Sequence, residues 1–240
     1  METLLDKRIG DVVAEDFRTA AVFSKFGIDF CCGGQQPIIA AATKKNLNVD
    51  NLQQELEKVL AIGTAQGIDY NAWPLDLLAS YIVKIHHRYV GEKSPVLVGF
   101  LNKLCRVHGD RHPELFEVFR LFQECAVELG QHMEKEENIL FPFIEEMEEA
   151  KSRNIAFENP YFGTVGNPIN MMVHEHETEG RRFEKIAELT SNYTPPADAC
   201  GTYRVTYAML QEFEQDLHKH IHLENNILFP KSIVLERSFR

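Results

Sequence analysis

Two stretches of this chain, 123–142 and 211–230, match at many positions at a constant offset of 88 residues. The identities include Gln123/Gln211, Glu124/Glu212, Leu129/Leu217, His132/His220, Glu136/Glu224 and a closing Ile-Leu-Phe-Pro. Such a duplication predicts two helices standing as pseudo-symmetric partners in one fold. Its content matters as much as its presence. In the first copy the apolar stripe runs Leu115, Phe119, Phe122, Ala126, Leu129, then His132 and Glu136, then Ile139 and Phe143. In the second it runs Leu210, Phe213, Leu217, then His220 and Glu224, then Ile227. Residues four apart share a helix face, so each His-x-x-x-Glu pair points where the apolar residues point, into a core.

Two buried, ionised carboxylates at one level of a bundle are costly, several kcal/mol each without a partner, and their mutual repulsion adds to this. A pair of cations removes the difficulty, because a carboxylate can bridge two metals. The same test of phase selects further histidines. Leu75, Leu78 and Ile82 lead to His86, whereas His87 falls with Asp76, Ser80 and Val83. Leu97, Leu101 and Leu104 lead to His108, and Ile169, Met172 and Val173 lead to His176. The repeat offset would pair His86 with His174, but His174 lies on a polar face, so periodicity decides for His176. The expected metal set is His86, His108, His132, Glu136, His176, His220 and Glu224. Seven donors exceed the four that zinc takes, and calcium and magnesium prefer oxygen. Imidazole with bridging carboxylate suits a pair of iron ions, with manganese as the alternative. The competing reading is a helical interaction protein whose histidines are satisfied within an ordinary core.

Around these segments the pattern is helical throughout, with weak strand alternation. Long helices are expected over 73 to beyond 89, 94–108, 112–147, 168–190 and 202–234, with loops at 151–167 and 193–199. The predicted fold is all-α: a small N-terminal helical module at 1–65, a linker over 63–71, and a four-helix bundle at 72–240. In the module Asp16 caps a run through Phe26, and helices follow at 37–44 and 49–62. The net charge of −11 argues against nucleic acid as a partner. No membrane span and no signal-type segment are legible. Five cysteines, Cys31, Cys32, Cys105, Cys125 and Cys200, make no disulfide framework, and a cytoplasmic location is expected.

At these residues the chain resembles the Repair of Iron Centres family, the di-iron proteins of the YtfE and ScdA type, whose C-terminal domain is hemerythrin-like. The resemblance rests on Gly-Ile-Asp-Phe-Cys-Cys-Gly-Gly at 27–34 and on the segments His132–Pro142 and His220–Pro230. It covers nearly the whole chain. It implies two non-haem iron ions per chain, oxo- and carboxylate-bridged, with the five histidines as ligands and Glu136 and Glu224 as bridges. It implies a role in repairing iron-sulfur clusters damaged by oxidative or nitrosative stress, through iron donation, nitric oxide reduction or both. Damaged iron-sulfur proteins and nitric oxide or dioxygen are then the partners, and a homodimer is implied by the resemblance only. Cys31 and Cys32 are assigned a redox or relay role. Neighbouring cysteines would close only a strained ring with each other, and the flanking glycines are expected to leave both thiols accessible. Reversible dioxygen or nitric oxide binding or sensing is the rival function, for which the cysteine pair has no use.

Overall fold

In the computed structural model, residues 3–61, 68–157 and 163–239 are described. The expected linker at 63–71 lies mostly outside them. The described residues are helical, with a single isolated bridge between Arg8 and Pro37. Short helices come first: α1 (Ile9–Glu15), α2 (Thr19–Lys25), α3 (Ile38–Lys44) and α4 (Val49–Ala61). Asp16 bonds the backbone N–H of Arg18 beyond α1 and pairs with its guanidinium at 2.6 Å, so it serves the turn between α1 and α2. A run led by Ile9, Val12 and Val13 forms α1, a helix beyond those that spacing predicts for the module.

Four long helices follow, antiparallel in sequence order. The first is α5 (Leu75–Tyr81) continued by a π-helical turn, Ile82–His87, into α6 (Arg88–His108). The second is α7 (Glu114–Lys135), a π turn at Glu136–Leu140 and α8 (Phe141–Arg153). The third is α9 (Gly166–Leu189). The fourth is α10 (Gly201–Leu223), a π turn at Glu224–Leu228 and α11 (Phe229–Arg237).

The break expected at Ser94–Pro95 is absent, and α6 runs through it. Pro95 removes one N–H from the helix, but the carbonyl it would serve belongs to Gly91, and both residues are exposed to water. The consequence is large for His108, which is carried to the far end of a continuous helix.

Apolar side chains collect in two clusters. One fills the upper bundle with Leu97, Leu101, Phe122, Phe183, Tyr207 and Phe213, and also takes in Ile9, Phe23, Phe30 and Cys31 of the N-terminal segment. The other holds Leu75, Leu78, Ile82, Leu140, Ile144, Met172, Ile227 and Phe229. Every long helix crosses from one cluster to the other, and a histidine or glutamate stands at each crossing. No helix among the described residues is long and apolar enough to cross a membrane.

Candidate metal centre

The side chains at that crossing layer are His87, His132, Glu136, His176, His220 and Glu224, each no more than 4% exposed. They form two sets of converging donors, His87, Glu136, His220 and Glu224, and His132, Glu136, His176 and Glu224. Both glutamates belong to both sets. His132 Nε2 lies 3.2 Å from Glu136 Oε2, and His176 Nε2 lies 3.1 Å from Glu224 Oε2. His220 Nε2 is 2.9 Å from Glu224 Oε1, and His87 Nε2 approaches Glu136 Oε2 at 3.3 Å. Across the first pair, His132 Nε2 and His176 Nε2 face each other at 3.0 Å.

Outer contacts aim these rings. Nδ1 of His87 meets Glu137 Oε1 at 2.8 Å, Nδ1 of His132 meets Glu175 Oε2 at 2.8 Å, and Nδ1 of His176 meets Asn225 Oδ1 at 2.9 Å. An acceptor at Nδ1 places the ring proton there and leaves the Nε2 lone pair pointing inward, the tautomer a metal requires. Lys135 in turn bonds Glu175. The duplication shows in these partners: Glu137 and Asn225 each follow a core glutamate, 88 residues apart. His86, next to His87 in the chain, stacks on the His220 ring at 5.8 Å and 12°.

The charge balance of the layer asks for cations. Both Glu136 oxygens, Glu224 Oε2 and His87 Nε2 are buried without a hydrogen-bond partner. Burial opposes charge on His87 and His132, yet the neighbouring carboxylates outweigh it and push both up to about 10. Burial and mutual repulsion raise Glu136, but His132 and His87 hold it below the usual carboxylate range. Burial likewise raises Glu224, and His220, His176 and His87 bring it well below. Positive charge is thus drawn to the space between the two carboxylates, and imidazole nitrogens with carboxylate oxygens make a donor set for transition metals. The residues present fit a pair of such ions.

Of the seven residues singled out by periodicity, five converge here: His132, Glu136, His176, His220 and Glu224. His86 and His108 do not enter either set, and His87 does. The reason is the π turn at Ile82–His87. A turn with one extra residue advances the phase, so the stripe Leu75, Leu78, Ile82 continues to His87 and Val90 rather than to His86. His86 is buried beside the layer, with Nδ1 on Asp216 at 3.0 Å. The second π turn has the same effect, leaving Ile139 38% exposed where a core position was expected. His108 stands 21 residues beyond His87 on one helix, about 30 Å away at 1.5 Å per residue, against Cys200. The repeat does not single out His87 either: its offset of 88 sets His87 against Glu175, and His176 stands one residue further on.

The other histidines have separate surroundings. His174 is solvent-exposed. His222 packs against the rings of Phe17 and Phe30, and His218 against Phe30, facing the N-terminal segment. His112 bonds Asp198.

The cysteine pair sits over the outside of the layer. Asp29 accepts the N–H groups of Cys31, Cys32 and Gly33 and so shapes the turn. Cys32 Sγ lies 3.6 Å from the carbonyl oxygen of His176, and the two sulfurs are 3.9 Å apart. The expectation that both thiols are accessible is corrected: Cys31 is only 3% exposed, and contact with Cys32 together with burial holds its thiol well above the ordinary range. The glycines serve packing instead. A Cβ at Gly34 would meet Asn226 Oδ1 and the Phe30 carbonyl at 2.6 Å, and Asn226 donates to the carbonyls of Phe30 and Cys31. Beside His132 and His176 a cavity of about 80 Å³ opens, lined also by Lys135, Glu175 and Glu179.

Comparison with known proteins agrees with this arrangement. Residues 78–232 match the family described as hemerythrin HHE cation binding domain, and residues 5–60 match a domain of unknown function, DUF542. A protein of Pectobacterium atrosepticum named iron-sulfur cluster repair protein YtfE is 38% identical over 228 residues, 95% of this chain and 97% of its own. Proteins of the same name from Musicola paradisiaca and Yersinia pseudotuberculosis are each 37% identical, covering 95% and 90% of this chain and 96% and 91% of theirs. This chain belongs to the family of the iron-sulfur cluster repair proteins of the YtfE type, and its C-terminal part to the hemerythrin HHE cation-binding family.

Proposed function

We propose that the chain is a cytoplasmic di-iron protein that helps to restore iron-sulfur clusters damaged by oxidative or nitrosative stress. The relatives' shared name supports the process, and the donor layer supports the chemistry. The single observation that carries the reading is the convergence of His87, His132, His176 and His220 on two buried carboxylates, three of whose four oxygens have no hydrogen-bond partner. In this reading His87 and His220 would hold one iron and His132 and His176 the other, with Glu136 and Glu224 as donors common to both sets. Residues 1–65 form a thiol-bearing unit and 72–240 the metal-bearing one.

Bound there, a ferrous pair would supply two electrons, the number needed to couple two nitric oxide molecules reductively. The protein's own groups support both that task and release of iron. Glu137, Glu175 and Asn225 hold the rings in the ligating tautomer. The two apolar clusters on either side keep water from most of the layer. The cavity at His132 and His176 is the side from which a small molecule or a departing ion has a path, with Lys135 and Glu175 at its wall.

The test is reconstitution with ferrous iron without oxygen. Two irons per chain are expected, with nitric oxide consumption or revival of a damaged iron-sulfur enzyme, and all three should be lost in Glu224→Ala. A loaded protein that neither consumes nitric oxide nor revives such an enzyme ends this reading. An absorption band that forms with dioxygen and bleaches on deoxygenation would instead mark an oxygen-binding protein.

A further inference from the structure

A second polar cluster lies at the opposite end of α6. Here Asp198 ties the approach to α10, taking Arg111 Nη1 at 3.0 Å and His112 Nε2 at 2.9 Å. This clamp delivers Cys200 to the N-cap of the 23-residue α10. Its sulfur lies 3.3 Å from His108 Nε2. The His108 ring is 5% exposed and held edge-on to Tyr203 at a centroid distance of 5.3 Å. Its Nδ1 is buried without a partner, so the Cys200 sulfur is its one hydrogen-bond partner among the described residues.

Cys200 also differs from the other thiols. Cys31, Cys105 and Cys125 are buried and Cys32 is half-buried, whereas Cys200 is exposed. No third metal donor joins the pair: among the described residues the clusters of convergent donors lie elsewhere. An exposed sulfur with a buried imidazole behind it and the orphan N–H groups of a long helix beside it is an arrangement for nucleophilic sulfur chemistry.

We propose that Cys200 and His108 form a thiol–imidazole pair that undergoes exchange with low-molecular-weight disulfides, making Cys200 a site of reversible S-thiolation. The sulfur of Cys200 attacks one sulfur of the disulfide. A new S–S bond forms to that half as the original S–S bond breaks. The Cys200 proton passes to His108 Nε2 and from there to the departing thiolate, which leaves as a thiol. The reagent disulfide is reduced by the amount the Cys200 sulfur is oxidised, so no other oxidant is needed. The step is independent of the metal layer, which lies about 30 Å away along the same helix.

The full-length reduced protein should be challenged with oxidised glutathione and with dithiodipyridine, and adducts assigned by peptide mass mapping. Cys200 is expected to react first, about tenfold faster in the folded chain than in the same chain unfolded in urea. The adduct should vanish in Cys200→Ser, a substitution that leaves a good N-cap residue in place. It should form about tenfold more slowly in His108→Gln. Bound iron per chain should not change on modification. A Cys200 that reacts no faster folded than unfolded, modification that begins at another cysteine, or a rate untouched by His108→Gln would each overturn the proposal. The comparison of folded with unfolded wild-type chain needs no variant and decides the matter even where His108→Gln does not fold.

Discussion

His86 and His87 are neighbours, both buried at 1% and 4% exposure, yet only His87 points its Nε2 at the carboxylates. Elemental analysis of iron-loaded variants therefore separates them. His87→Ala should retain at most one iron per chain, whereas His108→Ala should retain two and His86→Ala should bind two with weaker hold. A His87→Ala protein with full iron content would show that the layer is not the metal centre. Glu214 offers a second test at this scale. Burial pushes its carboxyl up to about 7 from 4.5, so the native state holds an extra proton between those values. Its contribution is present in full below pH 4.5 and is lost as pH rises through 7. Glu214→Gln should then raise stability at pH 8 by about 1–2 kcal/mol, after allowance for solvent screening, and leave it nearly unchanged at pH 4.5. Thermal melts at the two pH values check this.

At the scale of elements, the π turns explain the places where simple periodicity fails. Three of them occur among the described residues, and His87, Glu136 and Glu224 each lie within one. An inserted residue widens the helix locally and re-aims the side chains that follow, which is why such turns gather at functional sites. In α9, which has none, the stripe Ile169, Met172, His176 and Phe183 is buried as its spacing predicts. The junction of the N-terminal segment with the fourth long helix is equally specific. Gly10 and Gly34 leave room for Asn226, and a methyl group at Gly34 would press on a backbone carbonyl that has no freedom to move aside. Gly34→Ala should cost about 1–3 kcal/mol, the usual range for overpacking. It should also loosen Cys32 from His176, read as faster alkylation of Cys31 and Cys32. Unchanged alkylation and melting would show the junction to be tolerant.

Across the whole molecule, a polar layer separates two apolar clusters, and the clusters alone do not compensate its charge. Cations that bind the native state and not the unfolded chain add stability by mass action, about 2.7 kcal/mol per ion at a hundredfold excess over Kd. Ferrous iron should therefore raise the melting temperature and a chelator lower it. Glu136→Ala and Glu224→Ala should abolish that response, and a melting temperature indifferent to iron would count against the centre.

The all-α class, four long helices and the two His-x-x-x-Glu pairs were legible in the amino-acid order, because 3.6-residue periodicity and an 88-residue repeat are properties of the chain itself. So was membership of the hemerythrin-like family, carried by local motifs. Three matters were decided only in the folded state. His87 displaces His86, because a π turn changes helical phase without changing composition. His108 is carried to the far end of the bundle, because the carbonyl freed by Pro95 is solvated and the helix does not break. Cys31 is enclosed, because Asn226, distant in sequence, packs against the glycines that seemed to expose it. Which residues favour a helix is a local question; which way a particular ring points depends on hydrogen-bond register and on contacts from other elements, and those exist only once the chain has folded.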